Sequence, residues 1–400
     1  MTDPFWPGDH RAGDLFSGAA FLRAMVSVET TWLAALVEAQ VAPMEAETDL
    51  SGFIGSADVE PLAAGAEDSG NPVTGLVKLL RTRTGDPVAQ WLHRGLTSQD
   101  VLDTALILCL RDALAHIRTE LDRQIGVLTE LTARYRLTPM LARTLTQPAL
   151  PSTVGAKTAS WLTGVLDAAD VLAAVPVLPV QVGGAAGTLA ASTELTGSPD
   201  RAVALSETFA RRLGLTPATP WHSTRSIVTR TGDALVTCCD AWGHIAADTA
   251  TGSRREIGEF AEGNGGGSST MPHKDNPVLS VLIRRTAITA PHLAAILHSA
   301  SAASVDERAD GGWHAEWSAL RTLTRRTVVA ASHTGELLAG LGIDTERAAA
   351  NLDTAGDLLG EQRTMATLTG RPAGPDYTGA SEHLVQAALQ RAHRHLDGAV

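Results

Sequence analysis

The stretch from Asp100 to Arg136, DVLDTALILCLRDALAHIRTELDRQIGVLTELTARYR, decides the fold class of this 400-residue chain. Leucine or isoleucine recurs along it at every third or fourth position, which is the spacing of residues on one helical face. No proline follows until Pro139. At about 1.5 Å per residue the helix spans roughly 50 Å, and helices of that length are typical of bundles. The recurring residues are Leu106, Leu110, Leu114, Ile117, Leu121, Ile125, Leu128 and Leu131.

Helical periodicity continues through most of the chain. Strand signals are weak, the best being Val175 to Val182, and only 4% of residues are aromatic. The sequence therefore predicts an all-α architecture. Its expected parts are an N-terminal helical region (1–94), a central long-helix bundle (95–335) and a short C-terminal helical region (336–400). The other predicted long helices are Phe21 to Val41, Val154 to Ala173, Arg225 to Phe260, Val278 to Ala303 and Trp317 to Leu341.

Composition excludes several classes of function. A net charge of -12 argues against a nucleic-acid partner, which would require a basic face. Three cysteines without a CxxC pair, and histidines without an HExxH motif, predict neither a disulfide scaffold nor a metal site. No cofactor is expected. The most apolar region, Trp161 to Val180, is interrupted by two aspartates and two prolines, so no membrane span is expected. Without a secretory signal, we expect a cytoplasmic protein.

A glycine-serine stretch, GGGSSTMPHKDNP from Gly265 to Pro277, stands out from the helices. Three consecutive glycines make the backbone permissive, and Lys274 is one of only three lysines among 32 basic residues. The patterns of a phosphate-binding loop and of a nucleophile elbow are both absent. From spacing alone, a mobile anion-holding loop and an ordinary glycine-rich linker are equally good interpretations.

The residues from Gly267 to Pro277 resemble the GSSxMPxKxNP signature of the fumarase/aspartase superfamily. The resemblance extends over most of the chain, and it is closest to the 3-carboxy-cis,cis-muconate cycloisomerase branch. Four further segments carry it: Gly70–Val73, His93–Asp100, Gln181–Thr188 and Asp306–Trp317.

The resemblance implies a homotetramer that pools its long helices, with each active site assembled from three chains around a small polycarboxylate substrate. It implies that Ser268 transfers a proton at a carbon next to a carboxylate, and that Lys274 and Asn276 bind the negative charge. Thr97, Ser98, Thr144 and Met271 are assigned to substrate binding on the same ground.

The chemistry of these residue types agrees with that role. A serine hydroxyl is a poor base unless nearby donors and a cation stabilise its alkoxide. Removing a proton beside a carboxylate gives an enediolate-like species with two negative charges, which preorganised donors must hold. A closing loop would bring Ser268 to the substrate and exclude water, so the glycines are interpreted as a hinge.

Several of the candidate residues have structural alternatives. Thr97 and Ser98 could simply cap the long helix. Arg225 and Arg308 are predicted either to bind substrate carboxylates or to form ion pairs between helices. His93 and His222 are candidates for a proton relay, and hydrogen bonding to the backbone is the alternative for both.

One departure from the superfamily pattern concerns the leaving group. Many members carry a Thr-His pair where this chain has Thr144-Leu145. Without that histidine the site lacks an obvious general acid, and an anion that leaves without protonation needs none. The sequence therefore ranks lactonisation of 3-carboxy-cis,cis-muconate, a step of aromatic catabolism, first. Elimination of nitrite from nitrosuccinate is the alternative.

Two other departures keep a substituted succinate in contention. Asp275 follows Lys274 where the cycloisomerases tend to carry a basic residue, and Ser226 ends a segment that usually ends in an acid. A tricarboxylate should prefer more positive charge. Adenylosuccinate lyase and an inactive binding homologue rank below both reactions.

Overall fold

The computed structural model describes residues 3–263, 266–267, 270–271, 274–374 and 376–398. It is 66% helical with 14 α-helices among the described residues, so the predicted all-α class is confirmed. In chain order the helices are α1 Gly18–Glu38, α2 Val59–Ser69, α3 Pro72–Thr84, α4 Val88–Trp91, α5 Ser98–Arg134, α6 Val154–Ala173, α7 Ala190–Thr196, α8 Pro199–Leu213, α9 Ser226–Gly252, α10 Val278–Ala302, α11 Gly311–Ala339, α12 Thr345–Asp353, α13 Gly360–Thr369 and α14 Ser381–Leu396.

Short strands connect some of these helices, and each pairs antiparallel with one other strand. Strand β1 pairs with β2, β3 with β6, and β4 with β5. The strands are β1 Pro139–Thr144, β2 Gln147–Thr153, β3 Phe260–Ala261, β4 Gly266–Gly267, β5 Asp275–Asn276 and β6 Gly342–Ile343.

Helix α5 is the 37-residue helix that the leucine spacing predicts. A stretch near its start is buried on every face, because ten consecutive residues from Val101 to Leu110 are all buried. A helix buried all round must lie inside a bundle. At about 1.5 Å per residue it is roughly 55 Å long.

Helix α6 runs antiparallel to α5. The hydroxyl of Thr132, near the end of α5, donates to the hydroxyl of Thr158 near the start of α6 at 3.0 Å. Further along, Arg118 donates to the carbonyl of Leu172 near the end of α6 at 3.4 Å. Hairpin β1–β2 joins the two helices at the end where α5 finishes.

Helix α9 runs in the same direction as α5. Asp103 in the first turns of α5 forms an ion pair with Arg225, the residue before α9. Farther along, Gln124 accepts a hydrogen bond from the indole of Trp242 at 2.7 Å and donates to the carbonyl of Ala331 in α11 at 2.9 Å. The bundle thus has two distinct ends. We call the one where α5 begins the Thr97 end and the one where α5 finishes the hairpin end.

Hairpin β1–β2 is absent from the sequence prediction. Its turn is Leu145-Thr146, and both residues adopt the left-handed conformation, with φ of 47° and 71°. Two-residue hairpin turns favour this conformation, but they normally use asparagine, aspartate or glycine. Leucine and threonine give no such signal, so the sequence did not reveal the hairpin.

The structure differs from the sequence expectation at two places. The segment from Val175 to Val182, the best of the weak strand signals, is irregular and forms a single bridge, between Pro179 and Thr216. Helix α9 ends at Gly252 rather than at Phe260, which lies in β3. The aromatic ring folds back onto the helix end, where a Cβ added to Gly252 would lie 2.3 Å from the ring.

Helix α1 has the length and apolar composition that a membrane span would need, a feature that the sequence analysis did not single out. Its mean hydropathy is 1.4, and 61% of that segment is buried among the described residues. Trp32 and Val28 are fully buried in the core. Such burial is typical of a core helix in a globular protein.

Candidate active site

Asp100 organises the Thr97 end of the bundle. Its buried carboxylate accepts hydrogen bonds from the backbone amides of Thr97 (2.9 Å), Gly183 (2.9 Å) and Gly184 (3.0 Å). It also lies 2.8 Å from Nε2 of His222. Burial raises the pKa of Asp100, and the hydrogen bonds oppose that shift. The carboxylate therefore ties the start of α5 to the segment that begins at Gly183 and to the His222 ring.

His93 projects from the loop before α5 and pairs with a carboxylate of α1. Its Nδ1 lies 2.6 Å from Oε1 of Glu29, whose side chain is fully buried. Burial disfavours the imidazolium, but the Glu29 carboxylate outweighs it, so the pKa of His93 is raised. The His93 backbone has a φ of 63°, a conformation that costs a non-glycine residue about 1–3 kcal/mol.

The surrounding structure holds this strained loop from two further sides. The indole of Trp32, one turn after Glu29 on α1, donates to the carbonyl of Arg94 at 2.7 Å. Arg81 of α3 donates to the carbonyl of Leu92 at 2.9 Å. A strained backbone that several surrounding contacts hold in place is typical of functional sites.

A cleft of about 530 Å³ opens beside the loop. It contains two predicted site residues, His93 and Ser98, and two cations that the sequence did not assign, Lys78 and Arg81. These cations lie three residues apart on α3 and therefore share one face of it. Because Lys78 is one of only three lysines, its scarcity was the signal that could have identified it. The complete lining is Thr74, Val77, Lys78, Arg81, Thr82, His93 and Ser98.

Arg308 lies at the Thr97 end as well. Its guanidinium donates to the hydroxyl of Thr97 and, at 3.5 Å, to the carbonyl of Ala185. The structure thus brings together residues of three segments that carry the resemblance, His93–Asp100, Gln181–Thr188 and Asp306–Trp317. A substrate-binding role for Arg308 stays a prediction.

Arg225 forms the ion pairs that were the alternative to carboxylate binding. It is buried and contacts Asp103 at 2.7 and 3.0 Å and Glu316 at 2.5 and 3.1 Å. The indole of Trp313 also donates to Asp103 at 2.9 Å. Burial alone would lower the pKa of Arg225, but the two carboxylates raise it. Both carboxylates bind the hydrogen-bonding edges of its guanidinium inside the protein, and a substrate-binding role for Arg225 stays a prediction.

Thr144 lies at the hairpin end. It is the last residue of β1, and the adjacent Leu145 side chain is 96% exposed at the turn. Arg143 anchors the hairpin through a two-point contact with the buried Glu259 carboxylate, at 2.7 and 2.9 Å. Asn351 donates to the same carboxylate at 2.8 Å. The hairpin is therefore joined to the segment that leads into the glycine-serine stretch.

In the described part of the glycine-serine stretch, β4 and β5 pair antiparallel, with Gly266 opposite Asn276 and Gly267 opposite Asp275. Ser268 lies outside the described residues. The Lys274 amide donates to the carbonyl of Met271 at 3.0 Å. Lys274 and Asn276 thus lie together on one loop, as the signature predicts, and their roles stay predictions.

Glu262 fixes the base of this loop. Its buried carboxylate accepts hydrogen bonds from the amides of Leu279 (3.0 Å) and Ser280 (2.7 Å) at the start of α10. A carboxylate at this position satisfies free helix amides and complements the helix dipole. These bonds therefore hold the residues before the loop and the residues after it together at the hairpin end.

Gly266 has a packing role that its hinge interpretation did not include. A Cβ at this position would lie 2.2 Å from Cγ2 of Val278, whereas a Cβ on Gly267 would meet nothing within 4 Å. We expect Gly266→Ala to lower the free energy of unfolding by about 1–3 kcal/mol through overpacking. Gly267→Ala is the matched control and should stay within about 0.5 kcal/mol of wild type in a urea titration. Equal effects of the two variants would show that Val278 does not restrict the loop.

Within one chain the predicted site residues fall into two groups, at opposite ends of a helix roughly 55 Å long. A substrate of a few carbon atoms cannot contact both groups in the same chain. His93, Thr97, Ser98, His222 and Arg308 lie at the Thr97 end, and Thr144, Met271, Lys274 and Asn276 lie at the hairpin end.

Comparison with known proteins places the chain in a family. A sequence profile described as lyase matches residues 22–291, and the chain belongs to the fumarase/aspartase superfamily of lyases. A nitrosuccinate lyase from Streptomyces davaonensis is 43% identical over 364 residues, covering 85% of this chain and 77% of that protein. A 3-carboxy-cis,cis-muconate cycloisomerase from Bradyrhizobium diazoefficiens is 35% identical, covering 88% and 77% respectively.

Solved structures agree on the fold. A 3-carboxy-cis,cis-muconate lactonizing enzyme from Pseudomonas putida superposes with a TM-score of 0.85 at 28% identity, covering 96% of this chain and 97% of that one. A fumarate lyase from Mesorhizobium sp. BNC1 has a TM-score of 0.82 at 26% identity, covering 98% and 100%. The expected class of enzyme, a lyase or cycloisomerase of this superfamily, is confirmed.

Proposed function

We propose that this protein is a fumarate-forming lyase that removes an anionic group from a substituted succinate, with nitrosuccinate as substrate and nitrite as leaving group. The observation that supports an anionic leaving group is Leu145, an exposed aliphatic residue at the hairpin turn where many superfamily members have histidine. It can protonate nothing, and nitrite leaves as a stable anion.

The sequence ranked lactonisation first, and the proposal reverses that order. The relative named nitrosuccinate lyase is 43% identical, against 35% for the cycloisomerase. The acid Asp275, the first residue of β5, also directly follows Lys274 in the sequence. A dicarboxylate tolerates that negative charge better than a tricarboxylate does.

The proposed reaction is an elimination across one carbon–carbon bond. Ser268 takes a proton from the carbon next to one carboxylate, and the electrons of that C–H bond enter the carboxylate to form an enediolate. Lys274 and Asn276 stabilise its two negative charges. The electrons then form the double bond of fumarate as the C–N bond breaks, and nitrite leaves with the bonding pair.

A complete site requires more than one copy of the chain. The donors of the Thr97 end and the Ser268 loop are separated by the length of α5, so a neighbouring copy must supply one of the two groups. We propose a soluble cytoplasmic homotetramer, in which antiparallel packing of the long helices brings the Thr97 end of one copy to the hairpin end of another.

Lactonisation of 3-carboxy-cis,cis-muconate is the second candidate, favoured by the TM-score of 0.85 with the lactonizing enzyme. In that reaction a carboxylate of the substrate attacks its own double bond and the adjacent carbanion takes a proton. It also needs no acid for a leaving group.

Two assays run in parallel distinguish these reactions. With nitrosuccinate we expect nitrite and fumarate in equal amounts, with kcat/KM of at least about 10⁴ M⁻¹s⁻¹. With 3-carboxy-cis,cis-muconate we expect no loss of the ultraviolet absorbance of its conjugated diene. Loss of that absorbance without any nitrite release from nitrosuccinate would replace the proposal with the second candidate.

A further inference from the structure

Glu29 is a buried carboxylate that no step of the proposed elimination uses. It is fully buried on α1, where one oxygen faces Nδ1 of His93 at 2.6 Å and the other has no hydrogen-bond partner among the described residues. A buried carboxylate without full hydrogen bonding is costly unless it is paired with a positive charge. An imidazolium at His93 would supply that charge.

The pairing also determines what His93 presents to the cleft. Because Nδ1 faces Glu29, the proton on that nitrogen is fixed, and Nε2 is the nitrogen left for a ligand. The ring lines the cleft together with Lys78, Arg81 and Ser98. Nε of Arg81 is buried there without a partner in the described part of the chain.

The charges around His93 come from three helices. Glu29 on α1 and the more distant Asp100 on α5 favour its imidazolium, and Arg81 on α3 opposes it. Lys78 lies one turn before Arg81 on the same cleft wall. Glu29 is the strongest of the attractive charges, so the pKa of His93 is raised above its usual value despite burial.

We propose that Glu29 positions His93 as an imidazolium, which together with Lys78 and Arg81 forms a subsite for one carboxylate of a small dicarboxylate. The cleft is therefore a binding site whose affinity depends on pH. Binding is full while His93 is protonated and weakens as pH rises through the pKa of His93. The inference rests on the proposed function only for the choice of a dicarboxylate as ligand.

Succinate is the probe, because it has no group to eliminate and binding can be followed without turnover. Calorimetric titration of the full-length protein between about pH 6.5 and pH 9 keeps both succinate carboxylates largely ionised. Wild-type affinity should fall as pH rises. Glu29→Gln keeps a hydrogen-bond acceptor at Nδ1 but removes the charge, so the fall should move to lower pH.

Two more variants separate the effect of the His93 proton on succinate binding from the effect of the neighbouring cation Lys78. His93→Asn tolerates the left-handed backbone and cannot titrate, so its succinate affinity should be weak and independent of pH. Lys78→Met should weaken binding about tenfold at every pH without moving the pH dependence. Arg371→Met, which removes an exposed charge from the C-terminal region, is the matched control and should bind as wild type does.

The inference is overturned if Glu29→Gln leaves the pH dependence unchanged, or if Lys78→Met and Arg371→Met bind equally well. Absence of succinate binding to the wild type would overturn it too. If the protein shows the expected succinate binding but releases no nitrite from nitrosuccinate, the proposed elimination is wrong and the carboxylate subsite stands.

Discussion

Arg225→Met is expected to lower the free energy of unfolding by about 3–5 kcal/mol. The substitution removes the cation between Asp103 and Glu316, which are both buried, and leaves two carboxylates without their partner. Methionine fills much of the arginine volume, so the loss comes from uncompensated charge and not from a cavity. Because burial already raises the pKa of Glu316, that carboxylate should take up a proton in the variant.

Arg230→Met, at an exposed position in the first turns of α9 just after Arg225, is the matched control. Urea titrations of both variants at one protein concentration measure the difference, since oligomerisation makes apparent stability depend on concentration. The control should stay within about 0.5 kcal/mol of wild type. If Arg225→Met lost no more than the control, the ion pairs would contribute nothing to the fold.

The long helices were predictable because burial in a bundle requires apolar residues at helical spacing. Helix α6 begins and ends at the residues that the spacing predicts, Val154 and Ala173. Helix α9 was predicted too long because Phe260 continues the apolar spacing, although its ring packs back on Gly252 from a separate strand. Spacing indicates which residues are buried, but it cannot show against which element they pack.

The candidate site was predictable only where a motif is continuous in sequence. Lys274 and Asn276 belong to one such motif, and the structure places them on one loop. Glu29 gave no signal, because its role depends on contact with His93, 64 positions away. Arg225 was noticed in the sequence, but its contacts could not be predicted. An arginine between helices can bind a ligand or two carboxylates, and the sequence alone does not distinguish these possibilities.

The predicted site residues lie at the two ends of α5, and this separation determines what the loop needs from a neighbouring copy. In the proposed reaction Ser268, Lys274 and Asn276 carry the chemistry of proton removal, whereas the cations of the cleft lie at the other end of the bundle. The hairpin with Leu145 lies at the same end as the loop, tied to it through the contact between Arg143 and Glu259. The proposed site therefore needs a neighbouring copy that presents its Thr97 end to this loop and hairpin.

Mixed oligomers of two inactive variants are expected to recover about a quarter of wild-type activity. Ser268→Ala alone should lose about a thousandfold in kcat, and Ser98→Ala about a hundredfold. In a random mixture each site takes a wild-type Thr97 end with a chance of one half and a wild-type loop with a chance of one half. The product of the two chances is the expected active fraction.

The matched control is a mixture of Ser268→Ala with Lys274→Met. Both substitutions lie on the same loop, so every loop in that mixture carries one defect and no site is complete whatever the neighbours supply. Activity should stay at the level of the separate variants.

Two different affinity tags, one on each variant, allow purification of oligomers that contain both chains. If such oligomers of Ser268→Ala and Ser98→Ala stayed as inactive as the control, the loop of one copy would not meet the Thr97 end of another. Recovery confined to the first mixture means that the substrate lies between the loop of one copy and the Thr97 end of another.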